Sequence, residues 1–106
     1  MFVAINNITC TPEYVTRFEE LFATRAGAID LMPGSHRMHV LKPNQDGDDY
    51  LIVSYWDSEE HFQAWTRSEA FITGHRRGFA DLEQARKEGK PMPMHSKFRT
   101  YHVLTN

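Results

Sequence analysis

A chain of 106 residues, 41% apolar and 25% charged, has the size and composition of one small globular domain, and a single domain over 1–106 is expected. Its formal net charge of −2 removes any electrostatic case for nucleic-acid binding. No run approaches a membrane span or has the pattern of a secretory leader, and the one cysteine, Cys10, excludes an internal disulfide and fits a reducing, cytoplasmic setting.

Residues 2–10 predict a first strand with apolar residues on both faces. Thr11-Pro12-Glu13 reads as a helix start, with Thr at the cap, Pro at the first helical position and an acid in the first turn. That helix is expected from about Pro12 to Ile29, with Val15, Phe18, Leu21, Phe22 and Ala26 inward. Pro33-Gly34 breaks the chain. His36 to Lys42 predicts a second strand, 44–48 a polar turn, and Tyr50 to Trp56 a strongly β-prone third strand. Asp57, three residues before Glu60, resembles a capping box for a helix carrying Phe62 and Trp65. Ser68 suits the cap of a further helix through Phe71, Ile72, His75 and Phe79. Residues 81–95 are polar and hold Gly89, Pro91 and Pro93, which reads as a helix decaying into a loop; Ser96 to Leu104 predicts the last strand. The order β-α-β-β-α-β predicts a ferredoxin-like α+β fold. Its sheet would carry helices on one face, and two such sheets meeting by their other faces would close a dimeric barrel.

Three residues stand out chemically. His75 lies four residues after Phe71, three after Ile72 and four before Phe79, so the four share one helix face. Gly74 beside it removes a side chain and lets a flat molecule approach the backbone. A neutral imidazole on an apolar wall next to a glycine suits a haem iron. Spacing alone favours a core histidine with bonded ring nitrogens. Asn6 is the one fully polar side chain on the strand face it shares with Phe2, Ala4, Ile8 and Cys10. Its carboxamide can bond nearby backbone or donate to a ligand on iron. Trp65 shares a helix face with Phe62, and serves either as a core anchor or as a large ring pressing on a macrocycle.

The remaining histidines are weaker candidates. His36 and His39 point to opposite faces of a strand, His61 falls on the exposed side of its helix, His95 in a loop, and His102 in the last strand where it could be buried. No zinc spacing, glycine-rich phosphate loop or nucleophile elbow is present, and Trp56 reads as packing.

Phe2-Val3-Ala4-Ile5-Asn6, Phe22-Ala23-Thr24-Arg25, Val53 to Ser58, and Phe62 to Phe71 with Gly74-His75-Arg76 together resemble the IsdG-type haem-degrading monooxygenases of the antibiotic-biosynthesis-monooxygenase superfamily. The resemblance runs in order along nearly the whole chain. Its most specific part is the set Asn6, Trp65 and His75. It implies a homodimeric α+β barrel with one haem per subunit between helices and sheet, haem being substrate and cofactor at once. His75 is then the axial ligand to the haem iron, Asn6 bonds the iron's ligand on the distal side, and Trp65 keeps the porphyrin ruffled. Oxygen, activated at the iron, would open a meso carbon with electrons from an external donor, a reductase or small reductant, leaving iron and a bilin-type chromophore. Phe22, Phe62 and Phe71 are implied ring contacts, with Arg25, then Arg76 or Arg77, toward the propionates. One departure is plain: after Pro33-Gly34 the family carries an aromatic, where this chain has Ser35-His36. Two other readings stay open: a cofactor-independent relative that oxidises a small aromatic or quinol, and a haem carrier without turnover.

Overall fold

In the computed structural model, which describes residues 1–106, four strands form one antiparallel sheet ordered β2-β3-β1-β4. They are β1 (Phe2–Cys10), β2 (Ser35–Leu41), β3 (Tyr50–Trp56) and β4 (Met94–His102). Helices α1 (Val15–Ala23), α2 (Glu59–Thr66) and α3 (Glu69–Lys87) complete the ferredoxin-like α+β order. Because β3 runs antiparallel to both β1 and β2, those two are parallel with β3 between them, the split βαβ arrangement. No helix is long and apolar enough to cross a membrane.

The register sorts the side chains. Asn6 pairs with Ile52 on one side and Phe98 on the other, so one face carries Ala4, Asn6, Ile8, Tyr50, Ile52, Ser54, Trp56 and Phe98. Two apolar clusters form against that face. Ala4, Ile29, Trp56, Phe62 and Trp65 make one; Ile8, Tyr14, Phe18 and Tyr50 make the other. Trp56 is fully buried and its indole N–H donates to Ser54 Oγ at 2.9 Å, so it is packing, as its position at the end of β3 suggests. Cys10 is half-buried against the second cluster, and burial pushes its thiol pKa up, which suits a small hydrophobe.

Several boundaries differ from expectation. The long first helix does not form. A 3-10 turn at Pro12–Tyr14 leads into α1, which stops at Ala23, and another 3-10 turn spans Ala28–Leu31. Thr24 Oγ1 donates back to Glu20 O at 2.8 Å, and Gly27 takes φ +74°, a conformation that ends helices. Ala26, expected inward, is exposed, and Thr11 makes no side-chain cap bond. The cap of α2 is Ser58, accepting from His61 N, because Asp57 is taken by His36 at 2.5 Å. Ser68 caps α3 as expected, accepting from Phe71 N at 3.1 Å. Helix α3 runs on to Lys87 instead of decaying at residue 81. Its polar tail is an exposed helix supported by Arg86–Glu83 and Gln84–Glu88 pairs, and Gly89 at φ +67° ends it. The last strand begins and ends two residues early, and β2 is shifted by one.

At Gly34 the backbone has φ +79°, and a Cβ would lie 2.3 and 2.5 Å from the His61 ring atoms Cγ and Cδ2 and 2.7 Å from its Cβ. His61 is therefore half-buried over the glycine, with Nδ1 2.7 Å from Ser58 Oγ, not on an open helix face. Gly34→Ala is expected to destabilise by about 2 kcal/mol or more, from left-handed strain plus the clash. In a His61→Gly background, which removes the ring and the Cβ alike, urea titration should show the smaller, strain-only loss. Equal losses in the two backgrounds would exclude the clash.

Asp81 joins α3 to the first helical segment, accepting from Tyr14 OH at 2.7 Å and Arg17 Nε at 2.9 Å. Burial raises its carboxyl pKa, but the Arg17 and Tyr14 bonds outweigh it and leave the value below the ordinary 3.8. Its stabilisation is full above the unfolded carboxylate value and fades as pH falls from there through the folded one. Asp81→Asn should thus cost roughly 1 kcal/mol at pH 7 and little at the acid end, read from melts across pH 7 to 3.

Candidate functional site

Helix α3 sets the site, because it lies beside the core without entering it. None of its nineteen residues is buried. Its principal neighbours are α1, α2 and the 3-10 turn at Ala28–Leu31, rather than a strand. Phe71 leans on the first core cluster, but Ile72 and Phe79 remain 53% and 49% exposed, so the apolar stripe predicted from their spacing exists and is left largely uncovered beyond Phe71.

His75 sits in that stripe, stacked on Phe71 with ring centroids 4.0 Å apart and flanked by Phe79 at 5.5 Å. Nδ1 lies 2.7 Å from Phe71 O. A carbonyl oxygen only accepts, so Nδ1 carries the hydrogen and, in the neutral ring, Nε2 carries the free lone pair. Two aromatic neighbours and one backbone bond thus fix the imidazole with its Nε2 edge open. The core-histidine reading fails: His75 is exposed and has one bonded nitrogen. A Cβ at Gly74 would meet nothing within 4 Å, so the space beside His75 is open.

Trp65 connects this stripe to the core. It is 7% exposed, near-parallel to Trp56 at 6.5 Å and edge-on to Phe71 at 5.4 Å. An unbroken aromatic row therefore runs Trp56–Trp65–Phe71–His75–Phe79. Phe62 touches the row through Trp56 at 5.9 Å. Trp65, Phe71 and His75 are brought together; Phe22 is not among them, lying 5.0 Å from Phe18 beside the second cluster.

Asn6 projects from the centre of the sheet on the helix-bearing face. Its Oδ1 is buried with no hydrogen-bond partner, which rules out the backbone-bonded alternative for that oxygen. An unpartnered buried carboxamide oxygen costs roughly 1–3 kcal/mol, so the position calls for a polar guest. Among the arginines, Arg77 is committed: it donates to Thr24 Oγ1 at 2.8 Å, Leu21 O at 3.1 Å and Thr24 O at 3.3 Å, capping the carbonyl end of α1. Arg25 has only Asp30 at 3.6 Å. His36, in the Ser35-His36 pair that departs from the family, is held by Asp57, whose carboxyl pKa that bond pulls below the ordinary range. His102 is exposed. No three His, Cys, Asp or Glu side chains cluster closely enough to hold a metal ion.

The antibiotic biosynthesis monooxygenase family model matches residues 1–77. A haem oxygenase (staphylobilin-producing) of Staphylococcus haemolyticus is 33% identical over 72% of this chain and 74% of its own length. The haem-degrading monooxygenase HmoA of Bacillus subtilis is 30% identical over 97% of this chain and 91% of its own. The structure of the haem-degrader MhuD from Mycobacterium tuberculosis, with two haems in its active site, superposes with a TM-score of 0.73 at 27% identity, covering 100% of this chain and 98% of that one. With the fold, the order of elements and these likenesses in agreement, the chain belongs to the antibiotic biosynthesis monooxygenase family, on its IsdG-type, haem-degrading side.

Proposed function

We propose that this protein binds haem between α3 and the sheet and oxidatively opens it at a meso carbon, releasing iron and a bilin-type chromophore. The observation that carries the reading is His75, with Nδ1 tied to Phe71 O, Phe71 and Phe79 alongside and Nε2 free. The haem-degrading relatives at 30–33% identity support the same ligand. The residues fit a flat, largely apolar group with a polar centre: an uncovered aromatic stripe on one element and an unpartnered carboxamide oxygen on another.

When bound, haem supplies both the iron that activates oxygen and the meso carbon that is oxidised. His75 would hold the iron through Nε2, its Nδ1–H bond keeping the ring from turning. Asn6 would donate its carboxamide N–H to the iron's ligand, while its oxygen, an acceptor, has no partner within the chain. Trp65 would press on the porphyrin to ruffle it, braced from behind by Trp56 and Phe71. Phe62 and Phe71 would exclude water, with Phe22 at the margin. Arg25, loosely paired with Asp30, can swing to a propionate, and Arg76 is second choice; Arg77 is occupied at the end of α1. Oxygen and an external electron donor, a reductase or a small reductant, complete the reaction. The helix-free face of the sheet, where Ile5, Leu51 and Tyr55 are half-buried around the buried Val3 and Val53, is the surface we assign to a homodimer. The lone Cys10 agrees with a cytoplasmic setting.

Titration with hemin should give a one-to-one Soret shift. His75→Ala should remove the axial-ligand signature and weaken binding by at least about tenfold. Absence of any Soret shift in the wild type, with turnover of a quinol by haem-free protein, would replace this reading with a cofactor-independent oxygenase. A bound haem that survives ascorbate and air unchanged would make the protein a carrier.

Asn6→Ala should still bind hemin while slowing ascorbate-driven loss of the Soret band by roughly tenfold or more. An unchanged rate would remove Asn6 from the chemistry.

A further inference from the structure

Phe98 stands opposite Asn6 across the β1–β4 pairing, and sequence spacing gave it no role. Side chains of such a pair project from the same face with Cβ atoms roughly 4.5–5.5 Å apart, so the phenyl ring and the carboxamide are neighbours. Toward β3 this face is mostly closed: Ala4, Ile8, Tyr50, Ser54 and Trp56 are buried and Ile52 is half-buried. Phe98 keeps 51% of its surface. Its ring lies almost parallel to Phe62, 11° between planes and 5.5 Å between centroids. Phe62 itself is buried, wedged against Phe2 at 5.6 Å and Trp56 at 5.9 Å. One side of the Phe98 ring is thus braced on a core residue and its other side is open, next to the unpartnered Asn6 oxygen. The donor end of the same carboxamide, its amide N–H, is the end that can serve a ligand brought in from outside the chain, and it shares this part of the sheet face with the open phenyl.

We infer that Phe98 is a wall of the haem slot on the Asn6 side. Its open face packs on the porphyrin, limits how far the macrocycle slides across the sheet, and shields the Asn6 carboxamide from bulk water. It is a positioning residue, acting on the reaction through Asn6. The inference rests on the haem reading above and adds a contact from the last strand, which none of the residues named so far supplies. Shielding matters because a hydrogen bond from a carboxamide is stronger in a water-poor, low-dielectric pocket than in a hydrated one.

The test is hemin titration of wild type, Phe98→Ala, Phe98→Leu and His75→Ala, followed by azide titration of the loaded ferric proteins and by light scattering on the free ones. Phe98→Ala should weaken hemin binding roughly three- to tenfold, the range of one lost aromatic stack. Its saturated complex should keep the wild-type Soret maximum, since the ligand from α3 is untouched, while azide binds more weakly. Phe98→Leu should recover much of the affinity. Wild-type hemin and azide affinities in Phe98→Ala would overturn the inference and leave the haem reading standing. So would a change confined to the oligomeric state, which would make Phe98 a contact between copies. Failure of the wild type to take up hemin would overturn both, and is a separate result.

Discussion

Arg77 holds the carbonyl end of α1, and much of the site follows from that contact. Its guanidinium reaches Leu21 O, Thr24 O and Thr24 Oγ1 because α1 stops at Ala23. A helix continued to Ile29 would have used the same carbonyls in its own ladder and left Arg77 without partners. One turn further along α3, Asp81 makes a second tie to Tyr14 and Arg17. At the other end Phe71 leans on Trp65. So α3 is fixed by two polar ties and by Phe71 and Ala70 packed at the edge of the first core cluster, and the rest of its apolar stripe stays outside the core. His75 owes its exposure to this suspension, and its orientation to the Phe71 carbonyl.

The fold was legible where one local pattern decided the outcome. Tyr50–Trp56 is a two-sided apolar run and has the predicted bounds. Ser68 has no rival for its cap. Expectation failed where a distant residue chose between two local options. Asp57 and Ser58 are both good caps, and His36, twenty-one residues away, claims the first. The tail of α3 has the polarity of a loop, yet polarity is also what a helix with no buried face requires. The break after Ala23 depends on Gly27 and on a guanidinium from another helix, neither of which disturbs the periodicity of Val15, Phe18 and Phe22.

The candidate site divides in the same way. Helical spacing placed His75 with Phe71, Ile72 and Phe79, but period alone cannot tell whether a stripe is covered. Strand alternation isolated Asn6 among apolar neighbours, while the missing partner of its oxygen is a tertiary fact. Phe98 was out of reach because β4 alternates without a clean apolar face, and its importance lies in a pairing register that strand propensity does not encode. Resemblance to haem-degrading enzymes supplied the link between Asn6, Trp65 and His75, which no local pattern could. The wider family shares the fold across different chemistries, so those side chains, more than the scaffold, carry the specificity.

The suspension of α3 also bears on how the molecule breathes. A helix with no buried side chain contributes little to the global core and belongs to the least protected layer of the fold. Its amides should therefore exchange with solvent through local opening, well below the free energy that unfolds the β1–β3 pairing. A ligand packed against the stripe would become the missing half of that helix's core, so occupancy and helix order are linked quantities. The segment that must part to admit a large flat molecule is the one the rest of the chain holds most lightly.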